Sequence, residues 1–139
     1  MPIEQAFPTQ VPTGLPGTGS LAMQTLWHYT SETNLAGILR TRKLNPSLKA
    51  HNPRDARYGD GQYLSDVRPG TKTSSQLASL FVRVPYARQR FTHYVEIDVA
   101  ELKVECCREH VFLVPGREPL DLDGRIVSWG LNEWPGISG

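Results

Sequence analysis

The spacing of apolar residues changes along the chain, from mixed strand-like and helical patterns to a strand-like pattern in the last third. The first part predicts a strand at residues 26–30 and a helix from Ser31 to the Asn45-Pro46 pair. A second strand is predicted at residues 62–66 and a second helix at residues 74–81. Ser31 is a typical N-cap, and apolar residues recur after it at helical spacing. The polar residues 49–61 predict a loop.

The last third predicts strands. Residues 91–99 alternate between apolar and polar side chains, residues 111–114 form a short apolar run closed by Pro115-Gly116, and residues 120–129 fit one or two more strands. Helices early and strands late favour an α+β fold with a mixed or antiparallel sheet over a doubly wound fold.

The first twenty residues differ from the rest of the chain. Prolines alternate with glycines in this stretch, and Glu4 is its only charged residue. Such a composition buries too little apolar surface to offset the entropy lost on ordering. We therefore expect residues 1–20 to be a flexible leader, or a linker from a longer chain, and residues 21–139 to form one domain.

Composition excludes several classes of protein. The chain of 139 residues fits one domain, and no apolar run approaches the length of about 20 residues that a membrane span needs. No secretory signal is visible at the N-terminus. The two cysteines are adjacent, at Cys106 and Cys107, and the four histidines are scattered, so we expect neither a disulfide framework nor a metal site. These features predict a soluble protein of the cytoplasm.

Charge is distributed unevenly. The net charge is +1, but residues 40–90 contain eleven lysines and arginines against three aspartates, whereas residues 91–139 contain four cations against nine carboxylates. Eleven of the fifteen cations are arginines, whose planar guanidinium suits phosphate. Two interpretations stay open: two faces that attract each other within the fold, or a basic site for a phosphorylated ligand, nucleic acid or an acidic partner.

Two short segments carry candidate chemistry, although each alone is a weak signal. His28 lies in a predicted strand, where a lone histidine is more often structural than catalytic. The segment GDGQY at 59–63 lacks the third glycine of a dinucleotide-binding turn and follows no strand. Its simple interpretation is a turn that leads into a strand.

The order and spacing of these two segments along the chain make them a stronger indication of function than either is alone. The segments LWHYTS at 26–31, LAGIL at 35–39 and RYGDGQYLSD at 57–66 resemble the poly-ADP-ribose polymerase and diphtheria-toxin branch of ADP-ribosyltransferases. With NPSLK at 45–49 and THYVEIDV at 92–99, the chain more closely resembles the His-Tyr-Asp-signature ADP-ribosyltransferases. Those enzymes occur as small bacterial proteins and as C-terminal modules of polymorphic toxins. The resemblance covers about residues 24–128.

The resemblance implies a fold and a reaction. The fold would consist of two small, roughly perpendicular, mixed or antiparallel sheets with a few short helices. The reaction would use NAD as substrate, without a metal, and pass ADP-ribose to a macromolecular acceptor, protein or nucleic acid. The protein would act in the cytoplasm, or in the cytoplasm of a target cell as a toxin-type effector with an immunity protein as a further partner. The alternatives are an NAD glycohydrolase and an inactive module that binds NAD or ADP-ribose.

The resemblance also implies roles for single residues. His28 matches the histidine that bonds an NAD ribose hydroxyl, and Tyr63 matches the tyrosine that stacks on nicotinamide. The backbone of Tyr29 would hold the nicotinamide amide, where many relatives carry glycine. Thr30 and Gly61 would line the pocket.

The reaction needs two kinds of charge. The nicotinamide–ribose bond breaks through an oxocarbenium-like state, which orientation and a nearby negative charge stabilise. A cation should also hold the pyrophosphate, and the candidates are Arg40, Arg54 and Arg57.

The carboxylate has more than one candidate. Glu109 lies directly before the segment HVFLV at 110–114, the position that the resemblance implies, whereas Asp121 fits the signature aspartate of the family. Asp66 and Asp98 also lie near predicted strands. We interpret Asp66 as a helix cap and Asp98 as a charge at a strand end.

Overall fold

The computed structural model describes residues 24–53 and 55–132, which form two α-helices, one 3₁₀ helix and eight strands. The predicted leader and the start of the domain at residue 21 lie outside the described residues. The helices are α1 (Glu32–Thr41), α2 (Ser74–Val82) and the 3₁₀ helix (Pro85–Phe91). The strands are β1 (Thr25–Thr30), β2 (Lys43–Leu44), β3 (Gly61–Leu64), β4 (His93–Asp98), β5 (Glu105–Arg108), β6 (Val111–Pro115), β7 (Leu120–Asp121) and β8 (Ile126–Leu131).

The described strands pair in three antiparallel groups. The first sheet has the order β1-β4-β8, the second has the order β3-β6-β5, and β2 pairs with β7 in a two-stranded ribbon. The α+β class with small sheets and short helices is confirmed, and the ribbon is an addition to the two sheets that the sequence predicts.

Local sequence determines where the helices begin and end. The Ser31 hydroxyl caps α1 by accepting a bond from the Asn34 N–H, and Thr73 forms a capping box with Gln76 at the start of α2. Helix α1 ends at Thr41, earlier than the predicted end at the Asn45-Pro46 pair. The reason is that Arg42 adopts a left-handed conformation and donates its N–H to the Ile38 carbonyl.

Strand β1 lies between two clusters of buried side chains. Its Leu26 belongs to the first cluster, which joins α1 to both sheets, whereas Trp27 and Tyr29 belong to the second cluster, with α2 and the 3₁₀ helix. This division follows from the alternation of side chains along a strand. Both clusters therefore fix the position of the residue between Trp27 and Tyr29, which is His28.

Two isolated β-bridges connect β3 to its surroundings. Trp27 and Ser65 exchange backbone bonds of 2.8 Å in both directions, which joins β1 to the residue directly after β3. Ser47 pairs with Gly61 in the same way at the start of β3. Because of these contacts, the two segments that carry the sequence motifs lie side by side.

Candidate functional site

His28 and Tyr63 are in direct contact. The His28 Nδ1 lies 3.0 Å from the Tyr63 carbonyl oxygen, across the junction of β1 and β3. A carbonyl can only accept, so Nδ1 carries the hydrogen. This bond orients the imidazole and leaves Nε2 free of any protein partner among the described residues.

The surroundings of His28 keep its imidazole neutral. Burial lowers its pKa below the ordinary value of 6.5, and the bond to the Tyr63 carbonyl opposes that shift only in part. Near pH 7 the Nε2 therefore has a lone pair and accepts a hydrogen bond. A sugar hydroxyl is a matching donor.

The hydroxyl of Tyr63 is used within the protein. It donates to the Gly59 carbonyl at 2.6 Å and accepts from the Tyr58 N–H at 3.0 Å, which fixes the turn before β3. Burial is the largest cause that raises the pKa of Tyr63, so this phenol stays protonated at neutral pH. What Tyr63 offers to a ligand is the face of its ring.

Both residues line a cavity of about 650 Å³. This volume lies within the usual range of about 300–1,000 Å³ for small-molecule sites. Strand β1, one face of α1, β3, the end of α2 and the 3₁₀ helix supply its walls. Of the predicted residues, Tyr29 and Thr30 also line the cavity, and both are buried. The Tyr29 hydroxyl donates to the Val67 carbonyl at 2.6 Å, so that side chain is anchored.

Gly61 has a structural function. It is buried at a φ of +148°, and a Cβ at this position would lie 2.2 Å from the Val114 carbonyl oxygen. Only glycine permits this approach of β3 to β6. Gly61 is not among the residues that line the cavity, in contrast to the role that the resemblance implies.

Two of the three predicted arginines have known positions. Arg40 on α1 is exposed and lines the cavity, whereas Arg57 is exposed outside it. Arg54 lies outside the described residues. Lys43 also lines the cavity, although the sequence pattern did not single it out.

A further ion pair lines the cavity. Arg90 of the 3₁₀ helix contacts Asp55 at 2.6 Å, and its guanidinium also lies 5.3 Å from the centre of the Phe91 ring. Asp55 is the one carboxylate on the cavity wall among the described residues. Its negative charge is matched by Arg90. Of the other described cations on the cavity wall, Lys43 lies 3.8 Å from the Asp121 Oδ1, and Arg40 makes no ion pair within the described residues.

The predicted carboxylates lie outside the cavity wall. Glu109 is in the turn between β5 and β6, 87% exposed and two residues before Val111, which lines the cavity. Asp121 on β7 is 68% exposed and lies 3.8 Å from the Lys43 Nζ.

The other two carboxylates have local partners. Asp98 ends β4 and accepts from the Ala100 N–H, as expected for a charge at a strand end. The interpretation of Asp66 as a helix cap is wrong, because Thr73 caps α2 and Asp66 instead bonds His110 at 2.7 Å.

Asn34, Gly37 and Phe81 also line the cavity but were not predicted as site residues. Asn34 and Gly37 are three residues apart on α1 and hence lie on one helix face, so helical spacing after His28 was an available signal for them. Phe81 was predicted only as an apolar helix residue.

No helix in the described ranges is both long and apolar enough to span a membrane. The same ranges contain no group of three or more His, Cys, Asp or Glu residues that could hold a metal ion. The search of curated proteins and the search of solved structures give no match.

One protein family matches. Residues 26–126, more than half of the chain, match the family described as HYD1 signature containing ADP-ribosyltransferase. This range includes His28 and Tyr63 and the cavity that they share. The chain therefore belongs to this toxin-type family of ADP-ribosyltransferases.

Proposed function

We propose that the cavity binds NAD and that the protein transfers ADP-ribose to a macromolecular acceptor with release of nicotinamide. The observation that carries this proposal is the contact of His28 with Tyr63. It places a neutral histidine acceptor and an aromatic ring on one wall of a cavity of suitable size.

The nicotinamide end of NAD is assigned to the side of Tyr63. The turn at Gly59 fixes the Tyr63 ring, which can stack on the flat pyridinium. The Phe81 ring lines the same cavity and adds a second aromatic surface. The backbone of Tyr29 would hold the carboxamide. A ribose hydroxyl would donate to the His28 Nε2.

The pyrophosphate is assigned to the side of α1. Arg40, in the last turn of α1, and Lys43, directly after the C-cap of that helix, line the cavity and supply positive charge for the phosphates. This charge lies at the C-terminal end of α1, so the helix dipole does not add to it. Arg57 makes no such contribution from its position outside the cavity.

Cleavage requires charge changes that the site can stabilise. The bond between C1′ of the ribose and the nicotinamide nitrogen breaks, and its electron pair stays on nicotinamide, which leaves neutral. Positive charge then develops on the ribose, and a carboxylate near the 2′-hydroxyl stabilises it. We assign this carboxylate to Glu109, because β6, which follows it, pairs with β3 at Tyr63 and contributes Val111 to the cavity.

The test of the carboxylate compares two amide substitutions. Glu109→Gln should lower kcat far more than it weakens NAD binding, the pattern of an interaction made in the transition state. Asp121→Asn should have a mild effect, since Asp121 contacts exposed Lys43. The reverse result would assign the role to Asp121.

The test of the function is the release of nicotinamide from labelled NAD. His28→Ala should reduce the rate by about 10²-fold or more, because the ribose loses its orientation. His51→Ala is the matched control, since His51 is exposed and outside the cavity. Equal rates for the two variants would refute the assignment of the cavity.

Incubation with a cell lysate distinguishes the alternatives. Attachment of labelled ADP-ribose to macromolecules identifies a transferase. Loss of that label on protease or on nuclease digestion then shows whether the acceptor is protein or nucleic acid. Release of nicotinamide without attached label indicates an NAD glycohydrolase, and binding of NAD without release indicates an inactive module. As a toxin-type effector, the protein would act in the cytoplasm of its own or of a target cell and would have an immunity protein as partner.

A further inference from the structure

His110 and Asp66 form a histidine–carboxylate pair that is not part of the cavity wall but adjoins two of its residues in sequence. The His110 Nδ1 is 2.7 Å from the Asp66 Oδ1, which fixes the imidazole in the turn between β5 and β6. The carboxylate holds the hydrogen on Nδ1, so in the neutral ring Nε2 has the lone pair. The His110 side chain is 37% exposed and thus open to a macromolecule.

The position of His110 relates this pair to the proposed reaction. Its Nε2 is 3.7 Å from the Glu109 Oε2, too long for a hydrogen bond, so Nε2 is available. Asp66 and His110 directly adjoin Ser65 and Val111, which both line the cavity. If Glu109 binds the 2′-hydroxyl as proposed above, His110 lies near C1′, the neighbouring carbon, which the acceptor attacks.

We propose that His110 is the general base that takes the proton from the acceptor, with Asp66 as its positioning residue. The inference rests on the proposed function and adds the acceptor side of the site. The bond from C1′ to nicotinamide breaks with its electron pair on nicotinamide, as above. The acceptor nitrogen gives a proton to His110 Nε2 as it forms its bond to C1′, and the proton then passes to water. Asp66 stabilises the imidazolium that forms.

The charges around His110 indicate the class of acceptor. Asp66 is 46% exposed and Glu109 is 87% exposed, so two carboxylates flank the imidazole. Arg108, the cation nearest to His110 in the sequence, does not pair with these carboxylates, because its guanidinium donates to the Leu80 carbonyl near the end of α2. A planar guanidinium pairs well with carboxylates, and a cationic nitrogen needs a base to lose its proton. The acceptor group is therefore a guanidinium of the arginine class.

The experiment uses the full chain with NAD and agmatine, a small guanidine, as the probe acceptor. ADP-ribosyl-agmatine, free ADP-ribose and NAD affinity are measured separately. His110→Ala should reduce transfer to agmatine by about 10²-fold, with NAD affinity unchanged, and added imidazole should restore part of the rate. Asp66→Asn should lower kcat for agmatine without changing the KM for NAD. His51→Ala, an exposed histidine away from the cavity, should keep the parent rate.

Several results would overturn the inference. Full transfer by the His110→Ala variant would exclude a base at this position. A loss without rescue by imidazole, together with a lower melting temperature, would make His110 a structural residue. Transfer to the hydroxyl of N-acetylserinamide but not to agmatine would refute the acceptor class. If the parent protein releases no nicotinamide under any condition, the proposed function fails and the inference fails with it.

Discussion

Replacement of Gly37 tests where NAD binds, because protein stability and NAD affinity should change in opposite directions. It lies inside α1 and lines the cavity, and a Cβ built on it meets no atom within 4 Å. Glycine inside a helix costs about 0.5–1 kcal/mol relative to alanine. Gly37→Ala should therefore raise the free energy of unfolding by about that amount, or the melting temperature by about 2–6 °C.

A larger side chain at this position should block the ligand. The side chain in Gly37→Leu would extend into the cavity between Asn34 and Thr41, where we place NAD, and leucine is nearly as good a helix former as alanine. This variant should keep the gain in stability. Its NAD affinity should fall at least tenfold, which corresponds to about 1.4 kcal/mol.

The assay combines thermal unfolding without ligand and titration calorimetry with NAD. Ala36→Leu is the matched control, since Ala36 is the adjacent exposed residue of α1 and does not line the cavity. It should leave NAD affinity unchanged. Equal NAD affinity of the Gly37→Leu variant and the parent would refute the placement of the ligand against α1.

Three further outcomes follow from the contacts at β1 and β3. Tyr63→Phe keeps the stacking ring but loses the bonds to Gly59 and Tyr58, so NAD turnover should fall far less than in Tyr63→Ala, as measured by nicotinamide release; equal losses would contradict stacking. Gly61→Ala should destabilise the protein by several kcal/mol in urea titration, because its Cβ would overlap the carbonyl of β6; an unchanged midpoint would contradict the register. The lowered pKa of His28 means that the unfolded chain binds the proton more tightly, so the His28 contribution to stability is complete above pH 6.5 and is lost as the pH falls below it. His28→Gln should flatten that part of the stability–pH curve, and an unchanged slope would show that burial does not shift this group.

The long elements could be predicted because their patterns exceed one turn or one pleat. Helix α2, expected at 74–81, is observed at Ser74–Val82, and β4, expected within 91–99, is observed at His93–Asp98. The two-residue strands β2 and β7 are too short to show a period, and β5 carries charged ends around its two cysteines. Such strands exist because of their partners: β2 and β7 pair with each other from distant parts of the sequence, whereas β5 forms a hairpin with β6.

Some features of the candidate site could likewise be predicted from the sequence, and others could not. The resemblance implied that His28 and Tyr63 act on the same NAD, and the Trp27–Ser65 bridge brings their two segments together. The close approach of Gly61 to Val114 could not be read from the sequence, since a glycine before a strand also fits an ordinary turn. The pair of Asp66 and His110 spans 44 residues and depends on the register of β3 against β6.

The catalytic carboxylate is harder to recognise from burial than His28 and Tyr63 are. His28 and Tyr63 offer a neutral ring each, so the fold can hold them in the cavity wall before NAD arrives. A buried charge without a partner would cost several kcal/mol, and a partner such as Arg90 beside Asp55 would neutralise the charge that the reaction needs. Before NAD binds, a carboxylate that keeps its charge therefore lies at the solvated edge of the site, and bound NAD would strengthen its effect on the cation by excluding water. Glu109 and Asp121 are both exposed, so exposure does not choose between them, and the two amide substitutions are the measurement that does.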